Sequence, residues 1–535
     1  MKQFDTFGVM IDMSRNAVMS MDGLKRFLPL LKEMGYNCVM LYTEDTYEVD
    51  GYPYFGYMRG RYSKVEMKEI DTFATNLGMT VIPCIQTLAH LNAILRWGKV
   101  PMDCNDILLT DDKRNYELID HMFSTLSECF TSRKIHIGMD EAHMLGRGSH
   151  LDKHGYESAN SIIKRHLVKV CEIAEKYGYE VMMWSDMFFR PWNKGKYTIP
   201  KCEVPQEIID SLPKSVIPVY WDYYQSEEQT YSDMIENHKQ LSDKTWFAGG
   251  AWSWYGMIPY NRFTLQSMIP ALNACKKHEI RNVFMTMWGD DGGECSHFSQ
   301  LPSLFYLAEY AKGNTDEASI KEKFKKFCGV EFDEFMAIDC PNDVVDYEGR
   351  PCNPSKYMLY ADCLNDYLDY TVKPGAGEKY KNYAARLHST AKKSHHYGYV
   401  FDSAAKLCDV LAIKYELGLR TRSAYEAGDK EELKRLANEE YVQVVKLIDV
   451  FGKAFEKQWM LDNKPHGFDV QDLRLGGLIR RLNSCRQRIL DYVDGKTDCI
   501  AELDEKLLPF KEKEQSTNLS KGAFYATANC LFHGL

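Results

Sequence analysis

Asp140 and Glu141 are the residues of this chain best suited to acid–base chemistry. They close the segment His136-Ile137-Gly138-Met139-Asp140-Glu141, where a short apolar run ends in a glycine and two carboxyls. Neighbouring residues at a strand end point in different directions, so two adjacent carboxyls can address two parts of one ligand. Crowding them in a partly dry pocket raises the proton affinity of one, which then serves as general acid near neutrality. The same dipeptide recurs at Asp316-Glu317, Asp333-Glu334 and Asp504-Glu505, in charged helical stretches where a solvated face accounts for it. Asp140-Glu141 differs because a buried strand leads directly into it.

The elements that must carry this pair follow from the apolar pattern. Short continuous runs at 7–13, 37–42, 79–85, 134–138, 180–184, 216–221, 245–250 and 282–288 suit strands buried on both faces of a parallel sheet. Helical stretches lie between them, at 21–34, 66–77, 115–129 and 159–177, and Gly35, Gly78 and Gly178 stand as caps. Eight strands alternating with helices make an α/β chain with a (β/α)8 TIM barrel. A doubly wound sheet would need a Gly-rich phosphate loop after an early strand, and none is present. A charged helical stretch at 315–338 and a Pro-containing connection follow, and beyond them strand-like runs vanish. Long helical patterns take over at 404–427, 430–458 and 473–493, giving a barrel over 1–337 followed by an all-α C-terminal domain over 338–535. That domain packs on the barrel or on a second subunit, in the latter case as a homodimer.

A barrel enzyme places its reactive groups at the C-terminal ends of its strands. Those positions hold Arg15 after strand one, His90 after strand three, Trp184-Ser185-Asp186 at strand five, and Trp221-Asp222-Tyr223-Tyr224 at strand six. Trp252-Ser253-Trp254-Tyr255 follows strand seven, and Trp288-Gly289-Asp290-Asp291 follows strand eight. Indole rings stack on the C–H faces of sugars and carboxylates hold hydroxyls, so the combination suggests a carbohydrate pocket. Each tryptophan taken singly is as readily core as pocket wall. His90 and His136 suit structural hydrogen-bond partners better than proton carriers, and Arg15 has the alternative of a surface ion pair. Trp459, with Asn463-Lys464-Pro465-His466-Gly467 after it, is an ordinary turn or the border of a pocket.

The net charge of −10 comes from mixed acids and bases with no basic stripe, which argues against nucleic acid as a partner. No apolar run has the roughly 18 residues a membrane helix needs, so no membrane partner is expected. The 16 cysteines are scattered without paired spacing, and Met1 to Asp5 lack the pattern of a secretory signal. A cytoplasmic location is expected on those grounds.

The His136-Ile137-Gly138-Met139-Asp140-Glu141 segment resembles the His-x-Gly-x-Asp-Glu signature of the family 20 glycoside hydrolases, the β-N-acetylhexosaminidases. Arg15, His90 and Trp288-x-Asp290 also match that family's layout, and the resemblance covers the barrel, roughly residues 5 to 312. The barrel with a helical C-terminal domain is similar to a bacterial branch active on small glycans. The resemblance implies exo-acting release of terminal β-linked N-acetylglucosamine, or its galacto epimer, by substrate assistance without a cofactor or metal. It makes Glu141 the proton donor and Asp140 the group that orients the substrate's 2-acetamido N–H. Arg15, His90 and Asp290 would serve the sugar, Trp184, Trp221, Trp252, Trp254 and Trp288 would wall the pocket, and Tyr223, ahead of Tyr255, would bind the acetamido oxygen. Two features depart from the family pattern: Asp290 stands where a longer Glu is usual, and the usual Tyr-x-Asp near strand seven is not evident. The competing readings are a metal-dependent hydrolase using His136, Asp140, Glu141 and His143, a carbohydrate-binding barrel without turnover, and a glycosidase with a distant carboxylate nucleophile.

Overall fold

The computed structural model describes residues 3–290, 292–344, 351–365, 368–369 and 372–508, so Asp291 and the end of the chain lie outside the described residues. The chain divides into two compact units. One comprises Met1–Trp252, Phe263–Trp288 and Ser303–Asp316, and the other Ser253–Arg262, Gly289–Pro302 and Glu317–Leu535.

The first unit is a closed parallel barrel. Its strands are β1 (Thr6–Asp12), β2 (Cys38–Tyr42), β3 (Thr80–Cys84), β6 (Lys134–His136), β7 (Glu180–Trp184), β8 (Ile217–Trp221), β9 (Trp246–Gly250) and β10 (Asn282–Met287). The order around the barrel is β1-β10-β9-β8-β7-β6-β3-β2. Parallel register fixes which strand ends meet: Asp12 pairs with Tyr42, Tyr42 with Cys84, Cys84 with His136, and His136 with Met182. Val9, Met10, Ile11, Val39, Met40, Val283 and Met285 are fully buried, which is why these runs are continuously apolar rather than alternating.

Two short strands, β4 (Met102–Cys104) and β5 (Ile107–Leu108), form an antiparallel hairpin that the apolar pattern did not indicate, because each is too short to show a period. The helices between strands are capped by their own sequence. Ser20 accepts from the Gly23 amide at 3.0 Å, Ser63 and Glu66 form a reciprocal capping box, and Gly35 closes the first helix in the left-handed region.

The second unit is helical. Within it Ala376–Lys393 packs on Gly398–Glu426, which packs on Tyr441–Asp462, which in turn packs on Phe468–Val493. Two stretches expected to be continuous are interrupted. The 315–338 stretch breaks into Glu317–Cys328 and Phe332–Met336, with Gly329 at φ 73° ending the first helix. The 430–458 stretch carries one π turn, Leu436–Glu440, where the Ala437 carbonyl accepts from Arg486 Nε at 2.9 Å. An outside donor to the loosened turn is a physical reason for the irregularity to persist. Among the described residues no helix is long and apolar enough to cross a membrane, and no disulfide is formed.

Candidate active site

The site is built where β6 ends. Extended pairing continues just past it, with the Ile137 amide donating to the Met182 carbonyl at 2.8 Å, and then the chain turns sharply. Gly138, Met139 and Glu141 all lie in the left-handed region, at φ 73°, 68° and 51°. For Met139 and Glu141 that conformation is costly and needs outside support. Gly138 also leaves room for Gln86: a Cβ there would stand 2.0 Å from Gln86 Oε1.

Gln86, fully buried beyond β3, is the hub of the turn. Its Oε1 accepts from the Met139 amide at 3.1 Å, and its Nε2 donates to Asp140 Oδ1 at 2.7 Å and to the Tyr42 hydroxyl at 2.9 Å. The Tyr42 hydroxyl donates to Glu44 Oε1 at 3.2 Å, and Glu44 pairs with Arg15 at 3.1 Å. One polar chain therefore runs from Arg15 to Asp140. His136 is buried, accepts from the Gly138 amide through Nδ1 at 3.1 Å, and is held neutral, its pKa pushed down to about 3 by burial.

Asp140 and His90 form an ion pair, with His90 Nε2 at 3.3 Å from Asp140 Oδ2. Burial alone would raise the Asp140 pKa, but the His90 charge and the bonds from His90 and Gln86 outweigh it and bring the carboxyl down to about 2. Burial would likewise lower His90, and the Asp140 charge reverses that, raising the imidazole to about 9. Glu141 differs in access. Its side chain is 42% exposed against 13% for Asp140, and it lies 3.9 Å from His90 Nε2 and 3.7 Å from Arg190. The pair is thus split between a fixed buried anion and an accessible carboxyl. Burial raises the proton affinity of Asp186, just beyond β7, to about 7, with the Asp140 charge adding to it and Arg190 opposing it, and burial also raises Glu44 and Asp222.

The aromatic candidates of the barrel unit form one linked set. Trp288 meets Tyr42 edge-on at 4.7 Å and donates its Nε1–H to the Tyr223 hydroxyl at 3.1 Å. Tyr223 stacks on half-buried Trp221 at 5.5 Å, and the Trp252 Nε1–H donates to the Tyr223 carbonyl at 2.8 Å. Asp222 accepts from the Tyr224 amide at 3.0 Å, steadying the turn that presents Tyr223. Trp184 and Trp252 are each 1% exposed, and Trp184 lies against His136 at 4.2 Å between ring centroids. In this state those two rings act as floor and support rather than as open faces. Trp254 and Asp290 belong to segments that group with the helical unit, where Trp254 is buried with its ring 6.2 Å from Tyr255 and Asp290 is half-buried.

Gln86, Tyr42, Glu44 and Arg190 were absent from the sequence candidates, and Asp186 stood in the strand-end roster without a role. Only their position at or just beyond the ends of β3 and β7, which flank β6, and of β2 on the far side of β3, signals them. Among the described residues no group of three or more His, Cys, Asp or Glu side chains is arranged to hold a metal ion.

A closed parallel barrel with a buried, ionised Asp beside an accessible Glu and a set of linked aromatic rings suits a glycoside hydrolase. Residues 6–240 match the glycosyl hydrolase family 20 catalytic domain, and residues 333–521 match the glycoside hydrolase 20C C-terminal domain. These two domains of one family account for most of the chain, which belongs to glycoside hydrolase family 20. Hexosaminidase D of Bos taurus is 22% identical over 358 residues, covering 59% of this chain and 94% of that protein. Hexosaminidase D of Homo sapiens is 24% identical over 217 residues, covering 37% of this chain and 41% of that protein. Among solved structures, an exo-β-N-acetylglucosaminidase from Vibrio harveyi in complex with N-acetylglucosamine is similar at TM-score 0.48 and 15% identity, over 63% of this chain and 58% of that one. A β-N-acetylhexosaminidase from Bacteroides fragilis is similar at TM-score 0.44 and 17% identity, over 60% of this chain and 70% of that one. The match thus spans less than two thirds of the length of the human relative and of the Vibrio structure.

Proposed function

We propose that this chain is an exo-β-N-acetylhexosaminidase that releases a terminal β-linked N-acetylglucosamine, or its galacto epimer, with the substrate's own acetamide as nucleophile. The observation that carries the reading is the unequal pair: Asp140 held as an anion by His90 and Gln86, next to an accessible Glu141. In a double-displacement glycosidase the second carboxylate attacks C1. An anion fixed from two sides is better suited to accept a hydrogen bond from an acetamido N–H and to balance the positive charge that grows on it. The hexosaminidase names of the relatives agree with this choice.

In the first step Glu141 gives its proton to the glycosidic oxygen, the C1–O bond breaks, and the aglycone leaves as an alcohol. The acetamido carbonyl oxygen bonds to C1, giving an oxazolinium whose N–H points to Asp140. In the second step Glu141 takes a proton from water, the water oxygen bonds to C1, the ring opens, and the anomeric configuration is retained. Tyr223 is assigned to the acetamido oxygen, and Arg15, anchored by Glu44, to outer hydroxyls through its forked donors. His90 sets the charge on Asp140, Trp221 and Trp288 flank the sugar, and Trp184 and Trp252 support them. Described cysteines that form no disulfide suit a reducing, cytoplasmic compartment, and a homodimer through the helical domain is checked by light scattering.

The test is the kinetics of Asp140→Asn and Glu141→Gln on aryl and alkyl N-acetyl-β-glucosaminides. Glu141→Gln is expected to lose far more activity on the alkyl glycoside, whose leaving group needs the proton, than on the nitrophenyl one. Equal losses on both would remove Glu141 from the role of acid.

A further inference from the structure

We propose that Asp186 and Arg190 form a two-point grip that positions Glu141, Asp186 holding its backbone and Arg190 its carboxyl, an inference that rests on Glu141 being the proton donor. Asp186 follows β7 as the first residue of the short helix Asp186–Phe189, and its side chain is 0% exposed. Its Oδ2 accepts from the Glu141 amide at 3.1 Å and from Arg190 Nε at 3.2 Å. Arg190 stands one helical turn on, its own amide donating to the Asp186 carbonyl at 2.9 Å. The far side of its guanidinium lies 3.7 Å from Glu141 Oε1, and another nitrogen donates to the Gly195 carbonyl at 3.3 Å.

Two features separate this from an ordinary ion pair. First, the amide that Asp186 accepts belongs to a glutamate in the left-handed region, so the bond secures a backbone that would otherwise relax and swing the carboxyl away. A buried aspartate needing only neutralisation had no use for that amide, and its Oδ1 is left buried without a partner. Second, the Arg190 guanidinium lies over the rings of Tyr197 at 5.6 Å and Trp221 at 5.7 Å. Stacking on two rings leaves the planar fork few orientations, and the one it takes faces Glu141. Misplacing a reacting group by about 1 Å can cost on the order of a hundredfold in rate, which is the size of effect such a grip controls.

The test compares Arg190→Met, Arg190→Lys, Asp186→Asn and the reference Glu141→Gln in the full-length protein, on a nitrophenyl and an alkyl N-acetyl-β-glucosaminide. For Arg190→Met the expected result is a loss in kcat of roughly a hundredfold on the alkyl glycoside and under about tenfold on the nitrophenyl one, with KM little changed. Arg190→Lys restores the charge without the fork and should recover part of the loss. A rise in KM with kcat intact would make Arg190 a substrate-holding group and overturn the grip. So would equal losses on both glycosides, the mark of a merely structural role. If Glu141→Gln itself shows no leaving-group dependence, the donor assignment fails. If it does and Arg190→Met does not, only the grip fails. Should Asp186→Asn not fold, the two Arg190 variants decide the matter.

Discussion

Among the described residues, one cluster of charge taken out of water in the helical unit and one in the barrel are built to opposite specifications. In the helical unit Glu294 is flanked by Lys356 at 2.7 Å and Arg474 at 2.8 Å, all three side chains at most 5% exposed. In the barrel Asp140 is fixed by His90 and Gln86, while Glu141 beside it stays open to solvent on a left-handed backbone. Both clusters satisfy buried carboxylates. Only the second leaves one carboxyl accessible, holds strained backbone, and drives the proton affinities of two buried acids apart, Asp140 down and the neighbouring Asp186 up. Buried charge by itself is weak evidence of function. Access together with strain and a split in proton affinity is stronger evidence.

Removing the anion from each cluster separates the two most sharply. Asp140→Asn should lower kcat/KM by roughly three orders of magnitude with a small change in Tm, since it removes charge stabilisation specific to the transition state. Glu294→Gln should do the reverse, costing about 3–5 kcal/mol of stability by stranding two buried cations, read as a shifted denaturation midpoint. A Glu294 variant as stable as the parent would collapse the contrast.

Gln86→Leu should cost about one to two orders of magnitude in kcat, because Asp140 and the Met139 amide both lose a partner held at 2.7 and 3.1 Å. Losing that donor also makes Asp140 easier to protonate, so the acid limb of activity should move to higher pH. Gly138→Ala should destabilise by about 1–3 kcal/mol, since its φ of 73° disfavours a side chain and its Cβ would strike Gln86.

The smallest effect expected is in the pH dependence of stability. Asp140 falls from 3.8 to about 2 on folding, so its contribution is present above 3.8 and lost as pH falls through 2. His90 rises from 6.5 to about 9, so its contribution is full below 6.5 and lost as pH rises through 9. The Tm difference between the protein and His90→Gln should be greatest between those ordinary values and shrink toward pH 9. A difference that grows with pH would reverse the assignment of charge.

Much of the barrel was legible because its strands are buried on both faces and announce themselves as unbroken apolar runs, such as Val9-Met10-Ile11 and Val39-Met40-Leu41. The helix Met21–Met34 was readable to both ends, where Ser20 and Gly35 cap it. The hairpin of β4 and β5, the break at Gly329 and the π turn at Leu436–Glu440 were not readable, since each depends on two or three residues whose conformation tertiary contacts choose. At the site, Asp140-Glu141 stood out because acids directly after a buried strand need a reason. Gln86, Glu44 and Arg190 carry no such mark. A glutamine two residues beyond Cys84 becomes a partner of Asp140 only when the closed barrel sets β3 next to β6. The positions of the supporting residues emerge from closure, whereas the proposed reacting pair is written locally.

The central claim is that the ligand's own amide takes the place of an enzymic nucleophile. Its most direct test is kcat/KM for nitrophenyl N-acetyl-β-glucosaminide against nitrophenyl β-glucoside, which differ only at C2. The expected result is turnover of the first and a loss of at least about four orders of magnitude for the second, which has no carbonyl to attack C1. Comparable rates on the two would contradict the account and return the nucleophile to a carboxylate of the protein.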